Sequence, residues 1–210
     1  FSSYLITIGI NTYKNYLRKK KVRTENYNFE FKALHIGTEI SSPISPELIK
    51  MFESWNVDLE IIDVDVLGRL KENKKMNCWW CSTQRRTELN NYAIENGYNK
   101  IALGHHLDDI LETLLMNALN KGEFSTMIPR LKYEKYPVTI IRPLCFADVD
   151  SIIEHAKLHN YISQTCTCNY QENSGRKKAR SCLEQLTGGN ALEKRRLFEA
   201  LRNIKPEYLP

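Results

Sequence analysis

Ile101-Ala102-Leu103-Gly104-His105-His106-Leu107-Asp108-Asp109-Ile110-Leu111-Glu112-Thr113 runs from a short apolar stretch, through a glycine, into helically spaced apolar residues. Residues 100–104 read as a buried strand, and residues 107–120 as the helix after it, stopped at Lys121-Gly122. Ligands of parallel sheets bind beyond the carboxyl ends of the strands. Gly104, lacking a Cβ, lets a flat ligand approach the backbone there. Asp108 and Asp109 lie near the start of the helix, where a negative charge gains roughly 0.3–1 kcal/mol from the helix dipole. One aspartate as cap and its neighbour in the first turn is the plain structural account. It explains one carboxylate well, the second less well, and the two histidines before them not at all. A magnesium ion bridging to nucleotide phosphates would give one carboxylate a further task, because that ion usually takes one or two carboxylates together with phosphate oxygens.

Upstream, Cys78-Trp79-Trp80-Cys81 runs into Arg85-Arg86, and residues 83–96 read as a helix ended by Gly97. Residues 29–36 and 59–64 read as strands. Between them Ser45-Pro46 opens a helix to about Trp55 in cap and first-turn order. A short helix is expected over 65–72, a strand over 138–141 and an amphipathic helix over 148–160, followed by a cysteine loop at 166–168 and a basic helical tail. Strands alternating with helices predict an α/β fold with a doubly wound parallel sheet. Residues 1–20 have the helical period, so the chain opens inside a helix. The first strand and the phosphate-binding turn that normally precede such a helix are expected upstream of Phe1.

The 210 residues, 42% hydrophobic, suffice for one large domain with at most a small appendage. We expect an α/β domain over 1–165, including the cysteine knuckle 76–86, and a cysteine loop with basic helical tail over 166–210. No apolar run approaches the roughly 18 residues of a membrane helix, and no basic flank leads into an apolar leader. The expected location is cytoplasmic, with no membrane partner. There, six cysteines point to metal ligands, reactive thiols or core residues rather than disulfides. The net charge of +5 is concentrated at Lys14, Arg18, Lys19, Lys20, Lys21 and Arg23, and again at Arg176, Lys177, Lys178, Arg180, Lys194, Arg195 and Arg196. Solvated helix faces would account for either cluster alone. Two clusters in one chain bring in a nucleic-acid partner.

The CxxC pair by itself is compatible with a redox pair, half a zinc site or half a cluster site. Zinc would take Cys78, Cys81, Cys166 and Cys168, although the second pair is C-x-C and the gap far exceeds the ~15–20 residues of ribbon-type sites. Cys145 and Cys182 have no assigned role. Trp79 and Trp80 could shield a cluster or stack a base, but covering the domain surface is the better account of them.

Gly104-His-His-Leu-Asp-Asp-Ile-Leu-Glu-Thr-Leu-Leu-Met-Asn117, with Met127-Ile-Pro129 and Ile141-Arg142-Pro143-Leu144, resembles the PP-loop ATP pyrophosphatase superfamily. More narrowly, it is similar to the tRNA 2-thiocytidine synthetases, the TtcA-like proteins. The resemblance spans residues 29–180 and is strongest over 76–144. It implies the adenine nucleotide alpha-hydrolase-like fold and a two-step reaction: ATP adenylates C2 of a tRNA cytidine, at position 32, and sulfur carried on a 4Fe-4S cluster displaces AMP. Cys78 and Cys81 would ligate the cluster with a third cysteine, Cys166 or Cys168. Arg85 would hold phosphate or the activated intermediate. Gly104, His105, Asp108 and Asp109 would contact ATP, with Asp109 also holding Mg²⁺. The implied partners are tRNA and a sulfur donor, a cysteine desulfurase or sulfide. Related proteins are often dimers, so a homodimer is expected. The family's SGGxDS turn is absent from this sequence, and Phe1-Ser-Ser-Tyr-Leu5 fits the start of the helix after it. Two alternatives stand beside this reading: tRNA uridine 2-thiolation by the same chemistry, and a zinc-bearing RNA-binding pseudoenzyme.

Overall fold

The computed structural model describes residues 31–163 and 175–208. Strand β1 (Ala33–Thr38) pairs in parallel with β2 (Leu59–Val64), Ala33 facing Leu59 and Thr38 facing Val64. Helix α1 (Pro46–Ser54) connects them. Ser45 caps it by accepting from Leu48 N, and Pro46 sits where a helix has no use for an N–H. Its Leu48 and Phe52 pack on Ala33. The long helix α2 (Cys78–Glu95) leads to β3 (Lys100–Ala102), and α3 (Leu107–Lys121) follows. Gly122 ends α3 with a left-handed φ of 67°, the conformation glycine adopts without a Cβ penalty. β5 (Thr139–Ile141) pairs in parallel with β3 and antiparallel with β4 (Arg130–Lys132). Helices α4 (Val149–Leu158), α5 (Gly175–Thr187) and α6 (Ala191–Ala200) complete the fold, with a 3-10 turn at Pro206–Tyr208.

The α/β class with parallel pairing is as expected, and β2 and the Ser45-Pro46 helix start lie where the sequence puts them. Five details differ. Among the described residues the parallel strands form two sheets, β1-β2 and β3-β5-β4, instead of one. β1 starts at Ala33 rather than 29, and β4 is an added antiparallel strand. Residues 66–69 form turns, not a helix. The Glu39 carboxylate takes the N–H groups of Val66 and Leu67, and Asp65 takes that of Gly68, so side chains from outside and within the segment replace the helical acceptors. Finally, α2 begins at Cys78, so the cysteine pair is helical rather than a separate knuckle.

α2 joins the two sheets. Its Leu89 packs against Leu34, Ile36, Val64 and Val66 on one side and against Ala93, Ile101, Leu103, Val138 and Ile140 on the other. A further cluster is built on α3: Leu107, Ile110, Leu111 and Leu114 close on Cys145, on Leu183 of α5 and on Phe198 of α6. The C-terminal helices therefore share a core with α3 instead of standing apart as a basic tail. No helix among the described residues is long and apolar enough to cross a membrane.

Ile110 is wholly buried at the centre of the α3 cluster. Ile110→Ala is expected to destabilise the fold by about 3 kcal/mol. In urea denaturation this appears as a lower midpoint with an unchanged slope.

Candidate functional site

The head of α3 lies directly beyond the end of β3. Leu103 N donates to Ile141 O at 2.9 Å, so residues 103–105 run beside the end of β5. The Asp109 carboxylate reaches back to His106 N at 3.1 Å, half of a capping box. Its other oxygen accepts from Arg176 of α5 at 2.9 Å. One turn on, Glu112 accepts from Arg180 at 2.7 Å and pairs with Arg176 at 3.5 Å. Asp108 takes Lys194 of α6 at 2.6 Å and Val149 N at 3.1 Å. All three carboxylates are buried, and Lys194 is 2% exposed. Burial opposes the Lys194 charge, but the Asp108 and Glu184 carboxylates outweigh it and raise its pKa.

This geometry bears on two sequence expectations. Asp109 is expected to hold Mg²⁺, but its two oxygens are spent on a backbone N–H, His106 and Arg176, and it is 2% exposed. A magnesium ligand needs an accessible oxygen without a cation already on it, so the residues present do not fit that ion. The C-terminal basic cluster is expected to meet nucleic acid. Instead Arg176, Arg180 and Lys194 are bound to α3, leaving Lys177, Lys178 and Arg196 outside that network, with Arg195 reaching Asp148 at 3.6 Å.

Cys78 and Cys81 occupy the first turn of α2, three residues apart and so on one face. Asn77 caps the turn through Trp80 N, and Trp80 Nε1 donates to Val66 O at 2.9 Å, fixing the turn against the 66–69 loop. Trp79 projects outward, 70% exposed. A thiol at the positive end of a helix dipole ionises more readily, as a metal ligand must. Cys166 and Cys168, the candidates for a third ligand, lie outside the described residues. Among the described ones no three Cys, His, Asp or Glu side chains converge on a metal position. Cys145 is buried, which pushes its thiol pKa up, and Cys182 sits in α5.

Arg85 and Arg86 follow on α2, and their charges act on two different histidines, His35 within β1 and His105 beyond the end of β3. The Arg85 charge acts on His35 of β1, whose pKa is lowered to about 4 by burial and then by Arg85, against the pull of Asp63. The Arg86 charge acts on His105, likewise lowered to about 4. Burial is the main cause there, Asp109 opposes it, and Arg142, Arg176 and Arg86 add to it. Both imidazoles are therefore neutral at pH 7. Beyond β1 and β2 opens a recess of about 580 Å³ lined by His35, Gly37, Thr38, Asp63 and Asp65 among others. A Cβ on Gly37 would collide with the Asp63 carboxylate, so glycine keeps this wall open. Sequence reasoning missed this recess. Its signal was present: the apolar runs of β1 and β2 end in Gly37-Thr38 and in Asp63-Val64-Asp65.

A model of the PP-loop domain family matches residues 38–186. A tRNA-cytidine(32) 2-sulfurtransferase of Legionella pneumophila is 38% identical over 154 residues, which cover 71% of this chain and 54% of the relative. One from Marinobacter nauticus is 34% identical over 185 residues, 85% of this chain and 61% of the relative. The chain thus spans little more than half the length of these curated relatives. Its fold is similar to that of the U34-tRNA thiolase NcsA from Methanococcus maripaludis, solved with its 4Fe-4S cluster. The TM-score is 0.63 at 23% identity, over 91% of this chain and 68% of that one.

Truncating one partner of a buried ion pair strands the other. Lys194→Ala is expected to cost about 3–5 kcal/mol, and the double variant Asp108→Leu/Lys194→Met to recover most of it, because an apolar pair removes both charges. Urea denaturation of the wild type, the two single variants and the double variant checks this. The histidines set a pH dependence. An unfolded imidazole titrates near 6.5, whereas folded His35 titrates near 4. The unfolded chain therefore takes the proton first as the pH falls. The contribution of His35, up to about 3 kcal/mol at 1.36 kcal/mol per pH unit, is complete above pH 6.5 and lost on descent to 4. Unfolding free energies measured across that window should fall less steeply in His35→Gln.

Proposed function

The chain belongs to the PP-loop domain family, and on that premise we propose that it serves ATP-dependent thiolation of tRNA at C2 of cytidine 32. The observation that carries this reading is the order of groups on α2: two cysteines in the first turn, then Arg85 and Arg86 one turn further on. An enzyme that activates a base with a nucleotide and then delivers sulfur needs thiolates and phosphate-binding cations side by side. The activity named for the Legionella and Marinobacter relatives supports the choice of cytidine.

In this reading the C2 carbonyl oxygen of the base attacks the α-phosphorus of ATP, and pyrophosphate leaves. Sulfur then adds to C2, and AMP departs with the original oxygen. Gly104 and His105 meet the nucleotide at the end of β3. His105 is neutral at pH 7, so it can hydrogen-bond without adding charge. Arg85 neutralises the charge that develops on the phosphate in each step. Asp108 and Asp109 act at one remove, by fixing the head of α3 against α5 and α6. Cys78 and Cys81, with Cys166 or Cys168 as third thiolate, would hold a 4Fe-4S cluster. Two thiols one turn apart at a helix N-terminus suit such a group. When bound, the cluster would offer an iron without a protein ligand on which sulfur is carried. The sulfur comes from a cysteine desulfurase or from sulfide.

The full-length protein, purified anaerobically, should contain iron and sulfide and absorb in the visible. Cys78→Ser and Cys81→Ser should lose both while keeping the far-ultraviolet dichroism of the folded sheet. Thionucleoside analysis of tRNA from cells carrying either variant as the sole copy should show 2-thiocytidine at background level. A protein that holds only zinc and does not bind ATP, or a deletion that leaves 2-thiocytidine unchanged, would sink the reading.

A further inference from the structure

The two tryptophans in the first turn of α2 are placed in opposite ways. Trp80 is half-buried and its Nε1 donates to Val66 O at 2.9 Å, so it covers the domain surface as expected. Trp79 does not. It is 70% exposed, and among the described residues its indole meets no ring, cation or hydrogen-bond partner. An exposed apolar side chain is ordinary on a protein surface. What sets this one apart is the backbone that presents it and the charge beside it. Asn77 caps the turn by accepting from Trp80 N at 2.9 Å. The Trp79 carbonyl accepts from the hydroxyls of Ser82 at 3.0 Å and Thr83 at 2.8 Å.

Asn77 also donates from Nδ2 to Lys75 O at 3.3 Å, which ties the preceding segment to the same turn. That segment, Lys71-Glu72-Asn73-Lys74-Lys75, is exposed throughout and folds back on itself, Lys74 N donating to Lys71 O at 3.1 Å. Its three lysines face one acid in the segment, Glu72. Among the described residues none of the three pairs with a carboxylate, whereas Arg69, two residues earlier, is held by Glu88 at 2.6 Å. An exposed indole on fixed backbone, next to uncommitted lysines, is the combination that holds single-stranded nucleic acid. Every base has a face to stack, and the backbone phosphates meet the cations. A single indole among lysines falls short of the area, on the order of 800 Å² a side, that a stable protein partner covers.

We propose that Trp79 is a stacking platform for an unpaired base of RNA, with Lys74 and Lys75 on the adjoining turn holding the phosphates beside that base. The platform places a single-stranded loop against the turn that carries Cys78 and Cys81. The choice of RNA rests on the proposed tRNA thiolation, but stacking requires neither the cluster nor ATP.

The test uses the full-length protein and two RNA probes, a hairpin with an unpaired cytidine in its loop and a blunt duplex of the same length. Binding is followed by anisotropy at several salt concentrations. Trp79→Ala should weaken hairpin binding roughly tenfold and leave the duplex unchanged. Trp79→Phe, which keeps a flat ring, should stay within about threefold of the wild type. The double variant Lys74→Gln/Lys75→Gln should lower the salt slope for the hairpin by about one to two units, whereas Trp79→Ala should not. Hairpin binding should quench the tryptophan emission of the wild type, and much less that of Trp79→Phe. Because the indole lies outside the core, Trp79→Ala should keep the dichroism and iron content of the wild type. Unchanged hairpin affinity in Trp79→Ala overturns the platform, as does equal weakening of hairpin and duplex, or a wild type that binds neither. Lost iron with intact hairpin binding would make the indole a shield for the cluster. Weaker binding of a cysteine desulfurase with intact hairpin binding would make it a protein contact. Either result overturns the platform. A protein that holds the hairpin through Trp79 yet yields no 2-thiocytidine keeps the platform and loses the thiolation reading, so the two fail separately.

Discussion

Three carboxylates in the first two turns of α3 are buried and each is met by a cation, and the molecule is arranged around that pairing. Asp108, Asp109 and Glu112 sit where the dipole of α3 welcomes negative charge, but a dipole alone does not offset the loss of water. The cations come from residues more than sixty positions away in sequence, Arg176, Arg180 and Lys194. Each of these also lies on a helix that adds an apolar residue to the α3 core, Leu183 from α5 and Phe198 from α6. Ion pairing and packing thus select the same docking geometry. The helix that carries the candidate nucleotide residues is held from behind by the C-terminal part of the chain.

A second consequence concerns where the site's cations are left. Since α5 and α6 supply the cations for α3, Arg176, Arg180 and Lys194 are committed inside the fold rather than offered to a ligand. Adjacent residues on a helix point about 100° apart, and α2 lies across both sheets. Arg85 acts on His35 within β1 while Arg86 acts on His105 in the segment after β3. One short dipeptide acts on both histidines because the helix beneath it packs on both sheets.

What could be read from the sequence was local. The cap and proline at Ser45-Pro46, the apolar run of β2, the glycine stop of α3 and the Asp108-Asp109 helix start all depend on neighbouring residues, and each appears where expected. The expectations that failed depended on distant partners. Residues 65–72 have helical composition, but Glu39 claims the N–H groups of Val66 and Leu67. The C-terminal arginines read as a nucleic-acid surface because nothing in their own segment reveals the carboxylates they meet. Asp109 read as a magnesium ligand for the converse reason. β4 is three residues long and owes its conformation to β5, so periodicity had little to act on. The recess beside Gly37 and Asp63 was legible in principle, as a change from apolar to polar at two strand ends.

The position of Leu89 has a thermodynamic implication. Two sheets that share no ladder among the described residues could melt as separate units, each with its own transition. Leu89 is a member of both of their apolar clusters, and α2 cannot leave one sheet without exposing the other. The two halves are thereby tied into one cooperative unit, in which opening of either sheet carries the free energy of both. The cysteine pair lies at one end of this shared helix, so loss of either sheet would also loosen the turn that presents the thiols.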